Sequence, residues 1–223
     1  MSKLYCVSKY LILINFVILF SDCNSRESQS NKDKSDNISY ADSVVKDIPE
    51  FFQSSRWRNY FSNEQKILSI KPIDNGYRDL QIRIWIGHGY LPKYSSQLIM
   101  IKKTGKIITG ELYTYIPHQE TNTDSVLPAN KRVDTLIPRS GWDNFIDSIQ
   151  KLGIYELPDY KKLPGYYLSN DSFGATFEIA TPTKYRIYDY PDYEEFKDKI
   201  AEAGKAFKIM SLIEDEFNTK VMY

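Results

Sequence analysis

The chain has 223 residues, of which 42 % are hydrophobic and 26 % charged, and its 29 basic and 29 acidic side chains leave no net charge. These proportions are typical of a globular protein and exclude a disordered or multi-span chain. The balanced charge and a pI near 6.7 indicate no concentrated basic surface, so we expect no nucleic-acid partner. Aromatic residues make up 14 % of the chain and include 18 Tyr, a residue that suits both sheet surfaces and interfaces.

The apolar run at residues 11–20 opens the sequence. As a helix it would rise about 15 Å, half the thickness of a bilayer core of about 30 Å. Its length fits the apolar region of an export signal, and Lys3 and Lys9 supply the positive leading end. We therefore expect residues 1–22 to be a signal peptide and not a membrane span.

Cys23 follows this run in the sequence Phe20-Ser21-Asp22-Cys23. The arrangement resembles the signal of bacterial lipoproteins, in which the Cys after the apolar run is acylated and becomes the mature N-terminus. Ser21 matches that pattern, whereas Asp22 stands where the family prefers a small residue and Phe20 where it usually has Leu. The alternatives are cleavage after Ser25 and an uncleaved anchor.

Cysteine usage favours lipidation over these alternatives. The chain has two cysteines. Cys6 lies within the signal and Cys23 at its boundary, so no disulfide can form in the domain that follows. The resemblance implies acyl chains, palmitate among them, on Cys23, with the lipid bilayer as the partner. More than one chain gives lasting attachment, since each buried methylene contributes about 0.8 kcal/mol. We expect an exported, lipid-anchored protein of the cell envelope, on the periplasmic face or the cell surface.

The polar segment that follows predicts a tether. Residues 24–39, NSRESQSNKDKSDNIS, contain one aliphatic residue, Ile38, and cannot bury enough apolar surface to offset their ordering entropy. We assign residues 23–40 to a flexible tether with a reach of about 20–24 Å. Residues 41–223 form a single domain.

Short helical turns are expected over residues 41–61, after which the apolar period changes to two. Strands are predicted at 66–71, 78–86, 97–103 and 106–116, with turns at DNG (74–76) and TGK (104–106). Residues 117–131 form a long polar loop. A hairpin around TPT joins predicted strands 175–180 and 185–190.

Two main helices are predicted at about 140–153 and 192–218. The first has Ser140 as N-cap and Gly153 as C-terminal stop. The second begins at Asp192, with Glu195 at the reciprocal capping position. Their apolar stripes are Trp142, Phe145, Ile146, Ile149 and Leu152, and Phe196, Ile200, Ala203, Phe207, Met210, Ile213 and Phe217. The predicted fold is therefore α+β: an antiparallel β-meander with both helices packed on one face.

Alternation along the strands predicts that the second sheet face carries Arg and aromatic side chains. This candidate binding face consists of Arg83, Trp85, Tyr113, Tyr115, Glu178, Arg186 and Tyr188. Arg beside planar rings suits stacking on a sugar or clamping a peptide carboxylate. The alternative is an ordinary solvated face with Arg–Glu pairs and cross-strand Tyr packing.

No catalytic motif stands out, and we expect no cofactor and no metal. His88 and His118 match no ligand spacing, and a triad of Ser95, His88 and Asp79 is one chance combination among many. A glycosidase pair among Asp159, Asp171, Glu178 and Asp189 depends on the separation of the carboxyl groups in space.

Several short motifs carry a second resemblance: RIWIGHG at 83–89, W-x-x-F-I at 142–146, GIYELPD at 153–159, FEIA at 177–180 and KYRIYDYP at 184–191. Together they resemble a group of uncharacterised bacterial envelope proteins, which implies a single exported domain and no site residues. The predicted function is a non-catalytic envelope lipoprotein that binds a protein or glycan. The alternatives are a carboxylate-dependent glycan hydrolase and a scaffold subunit of an envelope assembly.

Overall fold

The computed structural model describes residues 44–87, 96–116, 131–169 and 172–220. The predicted signal, the tether, Cys23 and most of the polar loop at 117–131 lie outside the described residues. The strands are β1 Val45–Asp47, β2 Leu80–Ile86, β3 Ser96–Thr104, β4 Ile107–Tyr115, β5 Lys131–Leu136, β6 Gly174–Ala180 and β7 Lys184–Pro191. The helices are α1 Glu50–Gln53, α2 Ser55–Leu68, α3 Trp142–Lys151, α4 Tyr193–Phe196 and α5 Ala201–Phe217.

The strands form one sheet in the order β1-β7-β6-β2-β3-β4-β5. Every neighbouring pair is antiparallel except β1 and β7, which run parallel. The α+β class is thus confirmed, and the antiparallel prediction is corrected to a mixed sheet. The turn predicted at TGK joins β3 to β4, where Gly105 has a φ of +60° that costs glycine little.

One face of the sheet packs against the C-terminal helices. Because paired residues on neighbouring strands share a face, Ile82 and Ile84 of β2 share one with their partners Ile101 and Ile99 of β3. These side chains belong to a buried cluster that also contains Phe145 and Ile149 of α3 and Ala203, Ala206, Ile209, Met210 and Ile213 of α5.

The opposite face is covered by α2, whose first half lies within the helical turns expected over residues 41–61 and whose second half lies beyond them. The ring of Phe61 meets that of Trp85 edge-on, with centroids 5.4 Å apart. Leu68 completes a buried cluster with Trp85, Leu98, Met100, Tyr113 and Tyr115. Helical elements therefore lie on both faces of the sheet, where the prediction placed helices on one.

Several local predictions need correction. Residues 66–71 end helix α2 and its cap instead of forming a strand, and the helix predicted from Asp192 is divided into α4 and α5, with Ile200 as the N-cap of α5. Gly141, not Ser140, is the N-cap of α3. Strands β1 and β5 are additional. No helix in the described part of the chain has the length and apolar character needed to cross a bilayer.

Candidate functional site

The seven side chains of the predicted binding face are all buried, each at most 8 % exposed. They were expected to face solvent or a ligand. The cover is provided by α1 and α2 on one side of the sheet and by the chain that follows α3 on the other. The prediction of an open aromatic face is therefore corrected to an aromatic interior.

The seven residues also divide between the two faces. Phe177 pairs with Tyr188, and Glu178 pairs with Ile187, so Tyr188 lies on the face of Phe177 and away from Glu178. Arg186, two residues earlier on β7, shares that face. Alternation shows which side chains of one strand lie on the same face of the sheet. Which side chains of two neighbouring strands share a face depends on the register of their pairing, and the hairpin sets that register.

Arg186 and Tyr188 hold the segment after α3 against β7. The Arg186 guanidinium donates to the carbonyls of Tyr155 and Leu157, and its Nε donates to Asp47 of β1 at 2.9 Å. The Tyr188 hydroxyl donates to the carbonyl of Ile154 at 2.6 Å. All of these contacts are made within the chain, so the two side chains stabilise the position of the segment after α3.

Tyr113 and Tyr115 lie beneath α2. The Tyr113 hydroxyl donates to Glu111 at 3.0 Å, and burial, followed by that neighbouring carboxylate, raises the pKa of Tyr113 to about 12. Burial and the charge of Glu64 raise the pKa of Tyr115 well above its usual value. Both phenols therefore remain neutral near neutral pH and act as packing groups.

Glu178 is the centre of a buried hydrogen-bond network. Its Oε2 accepts from Trp85 Nε1 at 3.1 Å and from Arg83 Nη1 at 3.4 Å, and its Oε1 accepts from the Tyr185 hydroxyl at 3.1 Å. A second Arg83 nitrogen donates to the carbonyl of Lys71. Burial, and then the charge and hydrogen bond of Glu178, raise the pKa of Tyr185 well above its usual value, so this phenol keeps its proton.

A cavity of about 630 Å³ lies beside this network. Glu178 and Tyr185 are its polar floor. Its walls come from β1 and the residues after it, α1, α2, the turn before β2, and β7, and they include Ile48, Phe52, Phe61, Ile73 and Ile187. Of the seven predicted residues, Glu178 alone lines this cavity. The volume falls within the range of about 300–1,000 Å³ that small-molecule sites occupy.

Charged and amide side chains surround the mouth. Lys46 and Asp74 form an ion pair at 3.0 Å, and both are partly exposed. Arg58 of α2 is exposed and also lines the cavity. Gln53 and Gln65 contribute amides, and the amide nitrogen of Gln53 donates to the carbonyl of Ile48 at 2.7 Å.

The sequence analysis does not reveal the cavity, because it expects only short helical turns over residues 41–61 and does not extend a helix to Leu68. A helical signal is present: Trp57, Phe61, Glu64 and Leu68 recur at i, i+4, i+7 and i+11, and the Ser54 hydroxyl accepts from the Trp57 N–H as an N-cap. Tyr185 was missed for a second reason, since its face depends on the β6–β7 register.

The other candidates from the sequence do not form a described site. His88, His118 and Ser95 lie outside the described residues, and the Asp79 carboxylate accepts from the backbone N–H of Gly105. Within the described residues, no group of three or more His, Cys, Asp or Glu side chains gathers in a way that could hold a metal ion.

Two of the predicted carboxylates do come together. The backbone N–H of Asp189 donates to Asp159 Oδ2 at 3.1 Å, and the Thr176 hydroxyl donates to Asp189 Oδ1 at 3.0 Å. Burial, with a smaller effect from the Asp159 charge, raises the pKa of Asp189 to about 7. Burial also raises the pKa of Asp159. Neither residue lines the cavity, and Asp171 is outside the described residues.

The cavity is thus a preformed recess with a hydrogen-bonding floor, apolar walls and a charged mouth. Such a recess suits reversible binding of a small amphiphilic group. No family model, curated protein or solved structure matches this chain.

Proposed function

We propose that this chain is an exported envelope protein, anchored through acylated Cys23, whose domain binds a small ligand without chemically changing it. The cavity over Glu178 is the binding site in this proposal. The observation that carries it is the combination of a recess of about 630 Å³ with a polar network that already satisfies most of its own hydrogen bonds.

The hydrogen bonds that Glu178 accepts favour a binding role over a catalytic one. A general acid for glycoside cleavage must present a protonated carboxyl to the substrate. Glu178 instead accepts three hydrogen bonds from protein donors, one of them from Arg83. These contacts fix the side chain and compensate its charge, which suits a rigid recognition surface.

One observation supports the hydrolase alternative. Asp74 lines the same cavity as Glu178, so two carboxyl groups border one recess, as glycoside hydrolysis requires. Asp74 is held in an ion pair with Lys46, however, and Glu178 is held by three protein donors, so both carboxyl groups are already engaged within the chain. We rank this function second.

Position along the chain supports a site near the membrane. Lys46 and Ile48 line the cavity and follow closely on the proposed tether at 23–40. If acyl chains hold Cys23, the domain stays attached to the membrane in which those chains are inserted. The ligand would then be a component of the envelope or of its immediate surroundings.

The test is a ligand screen with two variants of the full-length protein in detergent. Purified envelope glycans and short peptides are screened by thermal stabilisation, since a ligand that binds only the folded state raises the melting temperature. Ser62→Trp places an indole at the cavity mouth, because Ser62 is exposed and lines the cavity. Asn59→Trp on the same helix is the control, because Asn59 is exposed and is not part of the lining.

We expect at least one ligand to bind the parent protein and Asn59→Trp equally and to lose most of its affinity for Ser62→Trp. A ligand set that binds both variants alike would reject this cavity as the site. Release of a cleaved product that stops in Glu178→Gln would instead establish the hydrolase.

A further inference from the structure

Four charged side chains line the cavity: Lys46, Arg58, Asp74 and Glu178. Lys46 is paired with Asp74 and Glu178 with Arg83, so each of these pairs is neutral overall. Arg58 is the remaining charged residue of the lining, and no carboxylate in the described part of the chain forms an ion pair with it. Within the described residues, Arg58 is therefore the one charged side chain of the lining without an ion-pair partner.

The floor of the cavity can accept hydrogen bonds and has little to donate. The Tyr185 proton is directed to Glu178 Oε1, which leaves the lone pairs of the Tyr185 oxygen and one site on Oε1. The protons of Trp85 Nε1 and Arg83 Nη1 are used on Oε2. A ligand that reaches the floor must bring donors, and hydroxyl groups are suitable because they rotate to meet fixed acceptors.

The floor and the mouth of the cavity therefore favour different ligand groups: hydrogen-bond donors at the floor and an anionic group at the mouth. An anionic group at the floor would meet only acceptors and the Glu178 carboxylate, and it would be repelled. The same group at the mouth would meet Arg58, whose guanidinium binds carboxylates in a bidentate way. Between the ends, the walls of Ile48, Ile73 and Ile187 offer apolar contact to a ring whose C–H groups form a flat face.

We propose that the ligand is an acidic saccharide, bound with its hydroxyl groups on Glu178 and Tyr185 and its single negative group at Arg58. This inference rests on the proposed function, since it names the ligand class for the same cavity. A peptide fits less well, because its backbone brings carbonyl acceptors as well as N–H donors to a floor that offers acceptors.

The experiment uses two disaccharides that differ in one acid group, galacturonosyl-galactose and the corresponding neutral digalactose. Binding to the full-length protein in detergent is measured by calorimetry or ligand-observed NMR. We expect the acidic disaccharide to bind about tenfold more tightly than the neutral sugar at low salt, and we expect this preference to shrink at high salt because Arg58 is exposed.

Arg58→Gln should remove the preference for the acid and leave binding of the neutral sugar nearly unchanged. Arg56→Gln is the matched control, since Arg56 is exposed on the same helix and is not part of the lining. It should behave as the parent protein. Equal melting temperatures of the two variants ensure that a loss of binding is not a loss of folding.

The possible results separate this inference from the proposed function. Equal affinity for both sugars, or loss of the preference in Arg56→Gln as well, would overturn the role of Arg58. Failure of both sugars to bind would overturn the saccharide class. In either case an acidic peptide that binds the parent protein and not Ser62→Trp would leave the cavity as the binding site.

Discussion

Arg83 and Glu178 lie directly opposite each other on β2 and β6, with Arg83 Nη1 3.4 Å from Glu178 Oε2. Both side chains are almost fully buried, 2 % and 3 % exposed. In a low-dielectric interior, removal of one partner leaves the other charge without compensation. The pair therefore stabilises the centre of the sheet and also fixes the Glu178 side chain in the floor of the cavity.

Glu178→Ala should lower the free energy of unfolding by about 3–5 kcal/mol, because it leaves Arg83 buried without its partner charge. Urea denaturation measures the change. Asp147→Ala is the control: Asp147 and Lys151 form an exposed ion pair at 2.6 Å, and its loss should cost at most about 0.5 kcal/mol. Similar costs for the two variants would show that the buried pair contributes no more than a surface pair.

Asp189 predicts a pH dependence of stability. Its pKa is raised from 3.8 to about 7, so the folded state binds this proton more tightly than the unfolded chain does. The contribution to stability is fully present below about pH 4 and is lost as the pH rises to about 7. Burial is the main cause; hydrogen bonds from Thr176 and the Tyr190 N–H and the charge of Lys161 act against it, whereas the charge of Asp159 acts with it. The pKa of Asp159 is itself raised by burial, so Asp159 adds a change in the same direction.

Asp189→Asn removes the charge while its amide oxygen still accepts from Thr176. The free energy of unfolding should then fall less between about pH 5 and pH 8, by about 2 kcal/mol, since one pKa unit corresponds to about 1.4 kcal/mol. Denaturation at both pH values measures this difference. The exposed Asp198→Asn should leave the pH dependence unchanged, and an equal pH dependence in Asp189→Asn would contradict the prediction.

Gly174 opens β6 against the backbone of β7. A Cβ placed on Gly174 would lie 2.3 Å from the carbonyl oxygen of Tyr190 and 2.4 Å from the Cα of Pro191. Because backbone atoms cannot move aside as a side chain can, Gly174→Ala should destabilise the protein by about 3 kcal/mol. Thermal or urea unfolding checks the value.

Gly105→Asn provides the comparison for Gly174→Ala. Gly105 has a backbone in the left-handed region, with φ at +60°, but a Cβ placed there would meet no atom within 4 Å. Asn adopts this backbone conformation more readily than most residues. The expected cost is below about 1 kcal/mol. A larger cost at Gly105 than at Gly174 would mean that close backbone packing is not what requires glycine at the start of β6.

Cys23→Ala tests the anchor. If acyl chains on Cys23 hold the protein to the membrane, this variant should move from the membrane fraction to the soluble fraction, because no other lipid attachment is proposed. Cys6→Ala is the control, since Cys6 lies within the proposed signal and should leave the distribution unchanged. An unmodified Cys23 thiol found by mass spectrometry of the parent protein would exclude lipidation, and retention of Cys23→Ala on membranes with residues 1–22 still attached would show that the apolar run can itself act as an anchor.

The strands with clear alternation and a glycine turn were predicted to within a few residues. β3 and β4 follow from the hydrophobic pattern of 97–103 and 106–116 and from Gly105, which are local features. β1 was not predicted: it has three residues, Val45 is exposed, and its place in the sheet comes from backbone pairing with β7. The sequence predicts a strand at residues 66–71 because the Ile and Leu residues near the end of α2 are spaced much as the apolar residues of a strand are.

By itself, the sequence determined the α+β composition, the period of most strands, the turns at Gly105 and Thr181–Thr183 and the features that suggest export, because these depend on residues close together in the chain. The tertiary structure alone decided which strands are neighbours, which face each set of side chains occupies and where a cavity remains. Those depend on pairs such as Asp47 and Arg186, which are 139 residues apart. Local spacing carries no information on such a pairing, since the register between distant strands is set by the packing of the whole domain.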